Sequence, residues 1–341
     1  MNDIRVMTRP DDMHIHFRSG TAMGPYVRDA AAIFGRTLVM PNTDPPIDSV
    51  ARLEGYRDAI LDAAKQFSHF TPLLTFKLNQ RTTPQLAGAM KRAGAVAAKL
   101  YPEGATTNSA DGVTDPEALY PVFEAMSKHR LLLCIHAEDP DVFVLDREVA
   151  YLPRVDKIHR TFPDLRIVVE HLSTAEAVRF VLDAGPTVAA TITAHHLAMT
   201  LDDVLGAGIR PHNYCKPVLK RPEDRRALLE AAVSGSQSFF FGSDSAPHQR
   251  AAKECGVGAA GIYTAPFSLS VLAQVFSMEL GSDFVGPLQR FASENGARFY
   301  EVPQNAGTVE LIPEPWVVPE SYHDVVPMFP GVELSWRVRS S

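Results

Sequence analysis

Two histidines near the start of the chain have the type and spacing of a metal site. In DMHIHFRSG, residues 12–20, one apolar residue separates His14 from His16. Side chains alternate between the two faces of a strand, so both imidazoles would lie on the same face. Histidine is the commonest metal ligand, but it also occurs as a hydrogen-bonded core residue. Taken alone, the motif leaves both a metal site and a pair of structural histidines open.

Other side chains that bind metals follow apolar runs farther along the chain. Lys99 lies near the end of AAKLY, His136 ends LLLCIH, and His171 lies in VVEHLS. Asp244 ends FFFGSD, and His248 follows four residues later. Imidazole and carboxylate groups suit Zn²⁺, and Mn²⁺, Co²⁺ and Fe²⁺ also accept them. These residues can form one site only if the fold brings the ends of the runs together.

The order of the apolar runs predicts such a fold. Short apolar or β-branched runs alternate with longer amphipathic segments, which is typical of βαβ units and a parallel sheet. Eight predicted strands favour a (β/α)₈ TIM barrel over an open doubly wound sheet, and no GxGxxG follows the first of them. The predicted strands are 13–17, 37–42, 73–79, 95–101, 131–138, 166–173, 187–193 and 238–244, and the predicted helices include 49–66, 83–93, 117–129, 174–184 and 222–233.

In a TIM barrel the carboxyl ends of the strands form the active-site face. The candidate ligands all come from strand ends, so we expect them to converge on that face. In the first strand, His14 and His16 would face the barrel interior, while Met13, Ile15 and Phe17 would face the surrounding helices. A convergence of several histidines with an aspartate and a lysine favours metal binding over purely structural roles.

The lysine requires a chemistry of its own. An ammonium group beside divalent cations would be repelled, and burial disfavours its charge. CO₂ could add to the neutral amine of Lys99 and form an anionic carbamate with two oxygen ligands. Such a group could bridge two metals about 3.5–4 Å apart, which is the spacing of two-metal hydrolytic sites. Without the other ligands, a lysine that extends to the surface would be the simpler interpretation.

We predict that the chain forms a single domain, residues 1–341. From about residue 302 a proline-rich tail, VPQNAGTVELIPEPWVVPESYHDVV, would pack on the barrel and bury Trp316, Val317 and Val318. No Gly/Ser linker marks a second domain. The polar loop 102–115, PEGATTNSADGVTD, directly follows the fourth strand, on the face where long loops often act as lids.

Composition argues against several classes of function. The net charge of −7 gives no general attraction to nucleic acid. The sequence has no apolar run long enough to cross a bilayer, and its N-terminus does not have the pattern of a signal peptide. Cys134, Cys215 and Cys255 are far apart and form no CxxC, as expected of reduced thiols in a cytoplasmic protein. We therefore expect a small-molecule substrate, with no nucleic-acid or membrane partner.

Seven motifs occur in order between residue 9 and about residue 266: RPDDMHIHFRSG, MPNTDPP, AAKLYPEGATTNS, IHAE, VVEHLS, RPHNYCKPVLKR and GSDSAPH. Together they resemble the motifs of the dihydroorotases, in the short single-domain bacterial form of the amidohydrolase superfamily. An HxH motif alone is a weak signal, but seven motifs in sequence are highly specific. The resemblance implies a TIM barrel, a binuclear zinc site and a homodimer.

The resemblance also implies roles for individual residues. The implied metal ligands are His14, His16 and Asp244 for one zinc ion and His136 with His171 for the other, bridged by N6-carboxylated Lys99 and a hydroxide. The implied substrate contacts are Arg18 and Asn42 to a carboxylate, with His248 nearby, backbone groups of Leu219 and Ala260 to the ring amide, and Thr106 and Thr107 on a mobile loop. His195 and His196 follow the seventh strand, but this ligand set is complete without them, so we expect structural roles.

The activity implied by the resemblance is reversible cyclisation of N-carbamoyl-L-aspartate to L-dihydroorotate and water, in de novo pyrimidine biosynthesis. The bridging hydroxide would be the nucleophile, with Asp244 as general base and then general acid. Two alternatives are another cyclic amidohydrolase, such as a hydantoinase or allantoinase, and a non-catalytic relative. Arg18, Asn42 and the paired threonines argue against the first, and the intact ligand set argues against the second.

Overall fold

The computed structural model describes residues 4–340, so both ends of the predicted 1–341 domain lie outside the described residues. The strands are, in chain order, β1 (Arg5–Thr8), β2 (Asp11–Ile15), β3 (Arg36–Val39), β4 (Thr71–Lys77), β5 (Ala95–Leu100), β6 (Leu132–Ile135), β7 (Ile167–Val169), β8 (Val188–Ile192), β9 (Phe239–Phe241), β10 (Thr308–Ile312), β11 (Trp316–Val317), β12 (Glu333–Leu334) and β13 (Arg337–Ser340). Each of the eight predicted strands has a counterpart, in β2 through β9.

The helices between the strands begin at residues that favour a helix start. Side chains of Ser49, Thr83 and Thr174 each accept a hydrogen bond from the backbone N–H three residues later. The α-helices are α1 (Met23–Ala31), α2 (Val50–Ala63), α3 (Pro84–Arg92), α4 (Tyr120–Lys128), α5 (Arg147–Thr161), α6 (Ala175–Ala184), α7 (Ala194–Ala198), α8 (Asp202–Leu205), α9 (Pro222–Val233), α10 (Arg250–Lys253), α11 (Ser268–Leu280), α12 (Val285–Gln289) and α13 (Asn295–Phe299). The five predicted helices correspond to α2, α3, α4, α6 and α9.

Strands β2 to β9 form one parallel sheet in chain order. Backbone hydrogen bonds join the chain after β9 to β2 and bring the two edges of the sheet together. The N–H of Asp244 donates to the carbonyl of His14 at 2.8 Å, and the N–H of His16 donates to the carbonyl of Ser245 at 3.0 Å. The predicted (β/α)₈ TIM barrel is confirmed, and this seam joins the HxH strand to the strand that precedes Asp244.

The first barrel strand differs from its prediction. It ends at Ile15 rather than at Phe17, and its pairing with β3 shifts register between Asp12 and Ile15. Strict alternation fails across this irregularity, so Met13 packs inside the barrel in the apolar cluster that contains Phe240. The prediction that Met13 faces the helices is therefore wrong. Ile15 and Phe17 lie in the larger core cluster, as predicted.

The tail after residue 302 pairs with the start of the chain. β10 lies between β1 and β13 in an antiparallel three-stranded sheet, and β11 pairs with β12. Val318 is buried, and the ring of Trp316 packs edge-on against Phe267 with 6.4 Å between centroids. Val317 was also expected to be buried, but it is 56% exposed, because neighbouring side chains of a strand point to opposite faces. Within the described residues, no helix is both long and apolar enough to cross a membrane.

Candidate active site

The seam of the barrel brings three candidate ligands to one point. The Nε2 atoms of His14 and His16 lie 3.3 Å and 3.0 Å from Oδ1 of Asp244, and the two nitrogens are 3.4 Å apart. Tetrahedral zinc with bonds of about 2.0–2.1 Å holds its ligand atoms about 3.3 Å from one another. All three residues are buried. Their donor atoms therefore have the spacing of ligands to a single metal ion.

His136 and His171 form a second pair beside this group. The Nδ1 atom of His136 is 3.1 Å from Nε2 of His171, and both residues are buried. They follow the neighbouring strands β6 and β7. The ring centroid of His171 lies 5.0 Å from that of His14. The two groups of donor atoms thus lie close enough for the expected two-metal site.

Lys99 is fully buried in β5, and its Nζ atom has no hydrogen-bond partner among the described residues. Burial lowers the pKa of Lys99, although the nearby carboxylate of Glu170 acts in the opposite direction. Because a buried ammonium without a hydrogen bond is costly, burial makes the neutral amine easier to form here than at an exposed lysine. The neutral amine is the form that reacts with CO₂, so the surroundings of Lys99 fit a carboxylated lysine.

Two glutamates that the sequence analysis did not identify orient the histidines. Oε2 of Glu170 lies 2.8 Å from Nδ1 of His14, and Oε2 of Glu138 lies 2.8 Å from Nε2 of His136. A carboxylate on one ring nitrogen fixes the imidazole and leaves the other nitrogen for a metal. The signal was present in the sequence, because Glu170 precedes His171 in VVEHLS and Glu138 ends IHAE.

Three residues of the site have left-handed backbone conformations. The φ angles are 65° at Arg18, 45° at His171 and 46° at Asp244. Residues other than glycine adopt such angles at a cost of roughly 1–3 kcal/mol each, and they concentrate at functional sites. Each of these residues follows the end of a barrel strand, where the chain turns away from the sheet.

The candidate ligands open into a cavity at the carboxyl ends of the strands. Its wall consists of His14, His16, Arg18, Asn42, Tyr101, Thr106, Thr107, His136, His171, Lys216, Asp244, Ala246, Ala260 and Gly261. Five of the predicted substrate contacts belong to this wall, and His248 adjoins it through Arg18. The side chain of Leu219 is buried in the apolar core, so only its backbone could contact a ligand, and that expected contact stays a prediction. From the same segment the wall contains Lys216.

Comparison with known proteins agrees with this arrangement. Residues 12–320 match the family model described as the amidohydrolase family. A dihydroorotase of Aromatoleum aromaticum is 47% identical, over 97% of this chain and 98% of that protein. The chain belongs to the dihydroorotase family. A dihydroorotase from Saccharomyces cerevisiae, solved in complex with 5-fluoroorotic acid, is 35% identical with a TM-score of 0.93, and the match covers 99% of both chains.

Hydantoinases are more distant from this dihydroorotase-family chain. An L-hydantoinase from Arthrobacter aurescens has a TM-score of 0.81 and covers 98% of this chain and 84% of its own, but it is only 18% identical. At that identity the likeness shows a common barrel and no more. The difference in identity separates the dihydroorotase family from the main alternative among cyclic amidohydrolases.

Arg18 reaches the cavity of this dihydroorotase-family site from a loop, not from the strand. Its Nε donates to the carbonyl of Pro247 at 2.9 Å, and its Nη2 lies 2.8 Å from Nε2 of His248. Burial, with a further contribution from Arg18, lowers the pKa of His248 to about 3, so this imidazole is neutral. No carboxylate of residues 4–340 forms an ion pair with Arg18. The guanidinium is therefore available to an anionic ligand.

The loop 102–115 covers one side of the cavity. The amide of Asn42 donates to the carbonyl of Thr107 at 3.1 Å, and the amide of Asn108 donates to the carbonyl of Asn42 at 2.9 Å. From inside the barrel, Nζ of Lys77 donates to the carbonyl of Asn108 at 2.7 Å and to the carboxylate of Asp111. Four hydrogen bonds thus hold the loop that carries the paired threonines over the expected carboxylate site.

His195 and His196 form another buried group with Cys215, and their donor atoms lie within 4.8 Å of one another. His196 is already engaged, because its ring nitrogens lie 2.9 Å from the hydroxyl of Thr193 and 3.2 Å from the carbonyl of Pro217. The thiol of Cys215 donates to the same carbonyl at 3.2 Å. These contacts agree with the structural role expected for His196 in this family.

Proposed function

We propose that the protein catalyses the reversible cyclisation of N-carbamoyl-L-aspartate to L-dihydroorotate and water, a step of de novo pyrimidine biosynthesis. The observation that carries the proposal is one cavity lined by both ligand groups and by Arg18, which forms no ion pair with a carboxylate of residues 4–340. Lys99 is buried in β5, and its Nζ has no hydrogen-bond partner among the same residues. The family membership of the chain supports the same reaction.

We propose that two zinc ions bind per subunit. His14, His16 and Asp244 would hold one ion, His136 and His171 the other, and N6-carboxylated Lys99 would bridge them. When bound, the two ions would supply a water nucleophile activated near neutral pH and would polarise the carbonyl of the substrate ring. The spacing of the donor atoms and the unpartnered Nζ of Lys99 support this assignment.

Substrate binding would use charge and geometry together. Two Zn²⁺ with one carbamate, one aspartate and one hydroxide leave a net charge of about +1, which attracts an anionic substrate. The guanidinium of Arg18 can add two parallel hydrogen bonds to a carboxylate, with the amide of Asn42 beside it. Thr106 and Thr107 would contact the substrate from the loop, and the backbone of Ala260 would face the ring amide.

Asp244 would carry the proton in both directions. Contacts with His14 and His16 outweigh the effect of burial and hold the pKa of Asp244 well below its usual range, so its carboxylate is ionised. In ring opening it would accept the proton of the hydroxide nucleophile and would then deliver that proton to the ring nitrogen as the C–N bond breaks. In ring closure the same carboxyl group works in the reverse order.

The proposal extends to the state of the protein in the cell. We propose a single-domain subunit, a homodimer and a cytoplasmic location, each supported by the resemblance to short bacterial dihydroorotases. The cysteines Cys134, Cys215 and Cys255 are free, which agrees with a reducing compartment. Light scattering after size-exclusion chromatography tests the dimer.

Turnover of purified protein with dihydroorotate, carbamoyl aspartate and hydantoin tests the reaction. We expect interconversion of the first two compounds and hydantoin hydrolysis at least about a hundredfold slower, because hydantoin lacks the carboxylate that Arg18 would bind. A folded, metal-replete sample that hydrolyses hydantoin and leaves dihydroorotate unchanged would refute the proposal in favour of the hydantoinase alternative.

A further inference from the structure

Lys253, the last residue of α10, is a buried cation that the proposed reaction does not use. It is 3% exposed, and its Nζ donates to the carbonyl of Tyr214 at 2.8 Å and to that of Gly261 at 2.6 Å. The ring centroid of Tyr214 lies 5.9 Å from the ammonium. No carboxylate of the described residues forms an ion pair with it. A buried charge without a counter-ion depends on its hydrogen bonds, so these two contacts are strongly favoured.

The two carbonyls belong to different segments of the cavity wall. Tyr214 lies two residues before Lys216, which lines the cavity. Gly261 directly follows Ala260, and both of these residues line the cavity. The N–H of Gly261 also donates to the carbonyl of Tyr214, at 2.9 Å. The carbonyl oxygen of Tyr214 therefore accepts hydrogen bonds from both Lys253 and Gly261, and these bonds link the two segments.

The peptide groups next to Ala260 leave little room for displacement. Gly261 has a φ of +147°, and a Cβ there would lie 2.7 Å from the carbonyl of Ala246 and 2.9 Å from Cδ2 of His248. The carbonyl of Ala260 lies 2.9 Å from Nε2 of His248. In contrast, the N–H of Ala260 donates to no oxygen of residues 4–340. This free donor belongs to a residue of the cavity wall.

We propose that Lys253 is a positioning residue for the reaction. By anchoring the carbonyls of Tyr214 and Gly261, it holds the free N–H of Ala260 where a cyclic amide or its open-chain product binds. The inference rests on the proposed function. A displacement of about 1 Å in such a contact can cost about a hundredfold in rate or affinity. Lys253 itself does not contact the substrate.

Lys253→Met tests this role, with Lys220→Met as the matched control. Lys220 is also 3% exposed, and its Nζ donates to the carbonyl of Val144 at 3.1 Å, but it does not line the cavity. Both variants lose a buried ammonium, so both are expected to lower the melting temperature. We would measure KM and kcat for dihydroorotate, the Kd of 5-fluoroorotic acid by calorimetry, and bound metal.

For Lys253→Met we expect KM and Kd to rise at least about tenfold, with metal content unchanged and kcat reduced less than KM is raised. For Lys220→Met we expect both constants within about twofold of the native values. If Lys253→Met does not fold, Lys253→Gln replaces it in the test. Glutamine lacks the charge but keeps an amide donor, and the KM and Kd of this variant are likewise compared with those of Lys220→Met. Constants for the Lys253 variant that match those of Lys220→Met would overturn the inference while leaving the proposed function intact. A native protein without dihydroorotate turnover would overturn both.

Discussion

At the scale of single residues, the proposed roles of Lys99 and Arg18 separate metal binding from substrate binding. Lys99 is fully buried, and its amine has no hydrogen-bond partner among residues 4–340. Arg18 lies in the cavity wall and forms no ion pair with a carboxylate of the same residues. A change at Lys99 should therefore alter metal content, and a change at Arg18 should alter substrate binding alone.

Lys99→Ala is expected to lose most of the bound metal, because the bridging group disappears. Small carboxylates such as acetate or propionate should restore part of the metal content and activity by entering the space left by the side chain. Elemental analysis of the purified variant with and without added carboxylate measures this. Lys65→Ala, at a largely exposed lysine, is the control. Unchanged metal in Lys99→Ala would argue against the bridge.

Arg18→Lys is expected to raise the KM for dihydroorotate at least about tenfold, about 1.4 kcal/mol of binding free energy. An ammonium keeps the charge but cannot form the two parallel hydrogen bonds of a guanidinium. Steady-state kinetics with metal analysis checks this, since metal content should stay at the native value. A variant that loses metal together with activity would instead assign Arg18 a structural role.

At the scale of elements, the strand ends and the loop 102–115 form the site together. Residue types at strand ends predicted that the candidate metal ligands would converge, since a parallel barrel must gather its carboxyl ends on one face. Glu138 and Glu170 were missed because their contacts with histidines depend on neighbouring strands, which no local pattern reports. The register shift in β2 that turns Met13 inward is likewise a property of strand pairing.

Lys77→Met tests the attachment of the loop 102–115. The variant removes the donor to the carbonyl of Asn108 and to the carboxylate of Asp111, so the loop should open more often. We expect amide hydrogen exchange in peptides covering the loop to accelerate at least about tenfold, and KM to rise with it. Lys128→Met, at an exposed lysine, is the control. Unchanged exchange in Lys77→Met would show that other contacts hold the loop.

Glu148 links α5 to the chain after β7 and makes stability depend on pH. Its carboxylate accepts hydrogen bonds from the N–H of Ser173 and the hydroxyl of Thr174, yet burial raises the pKa of Glu148 to about 7. The folded state then holds a proton that the unfolded state releases near pH 4.5, so stability falls as pH rises between those values. We expect Glu148→Gln to remove about 3 kcal/mol of this decline, measured by urea unfolding at pH 5 and pH 8. If the free energy of unfolding changes with pH equally in the native protein and in Glu148→Gln, the proposed pH dependence from Glu148 is refuted.

At the scale of the whole molecule, the sequence was informative about local patterns and less so about distant pairing. Eight apolar runs predicted eight barrel strands, because buried parallel strands are continuous apolar segments. The sheet of β1, β10 and β13 was not predicted, since its pairing of β1 with β10 joins residues about 300 positions apart with no matching motif. The same holds for Lys253, whose carbonyl partners lie on two separate segments.

Anomalous diffraction at the zinc edge, from crystals grown with zinc, tests the central claim most directly. We expect two peaks about 3.5–4 Å apart, one beside His14, His16 and Asp244 and the other beside His136 and His171. Electron density should extend from Nζ of Lys99 between the two peaks. A single peak, or metal bound only by His195, His196 and Cys215, would contradict the two-metal site.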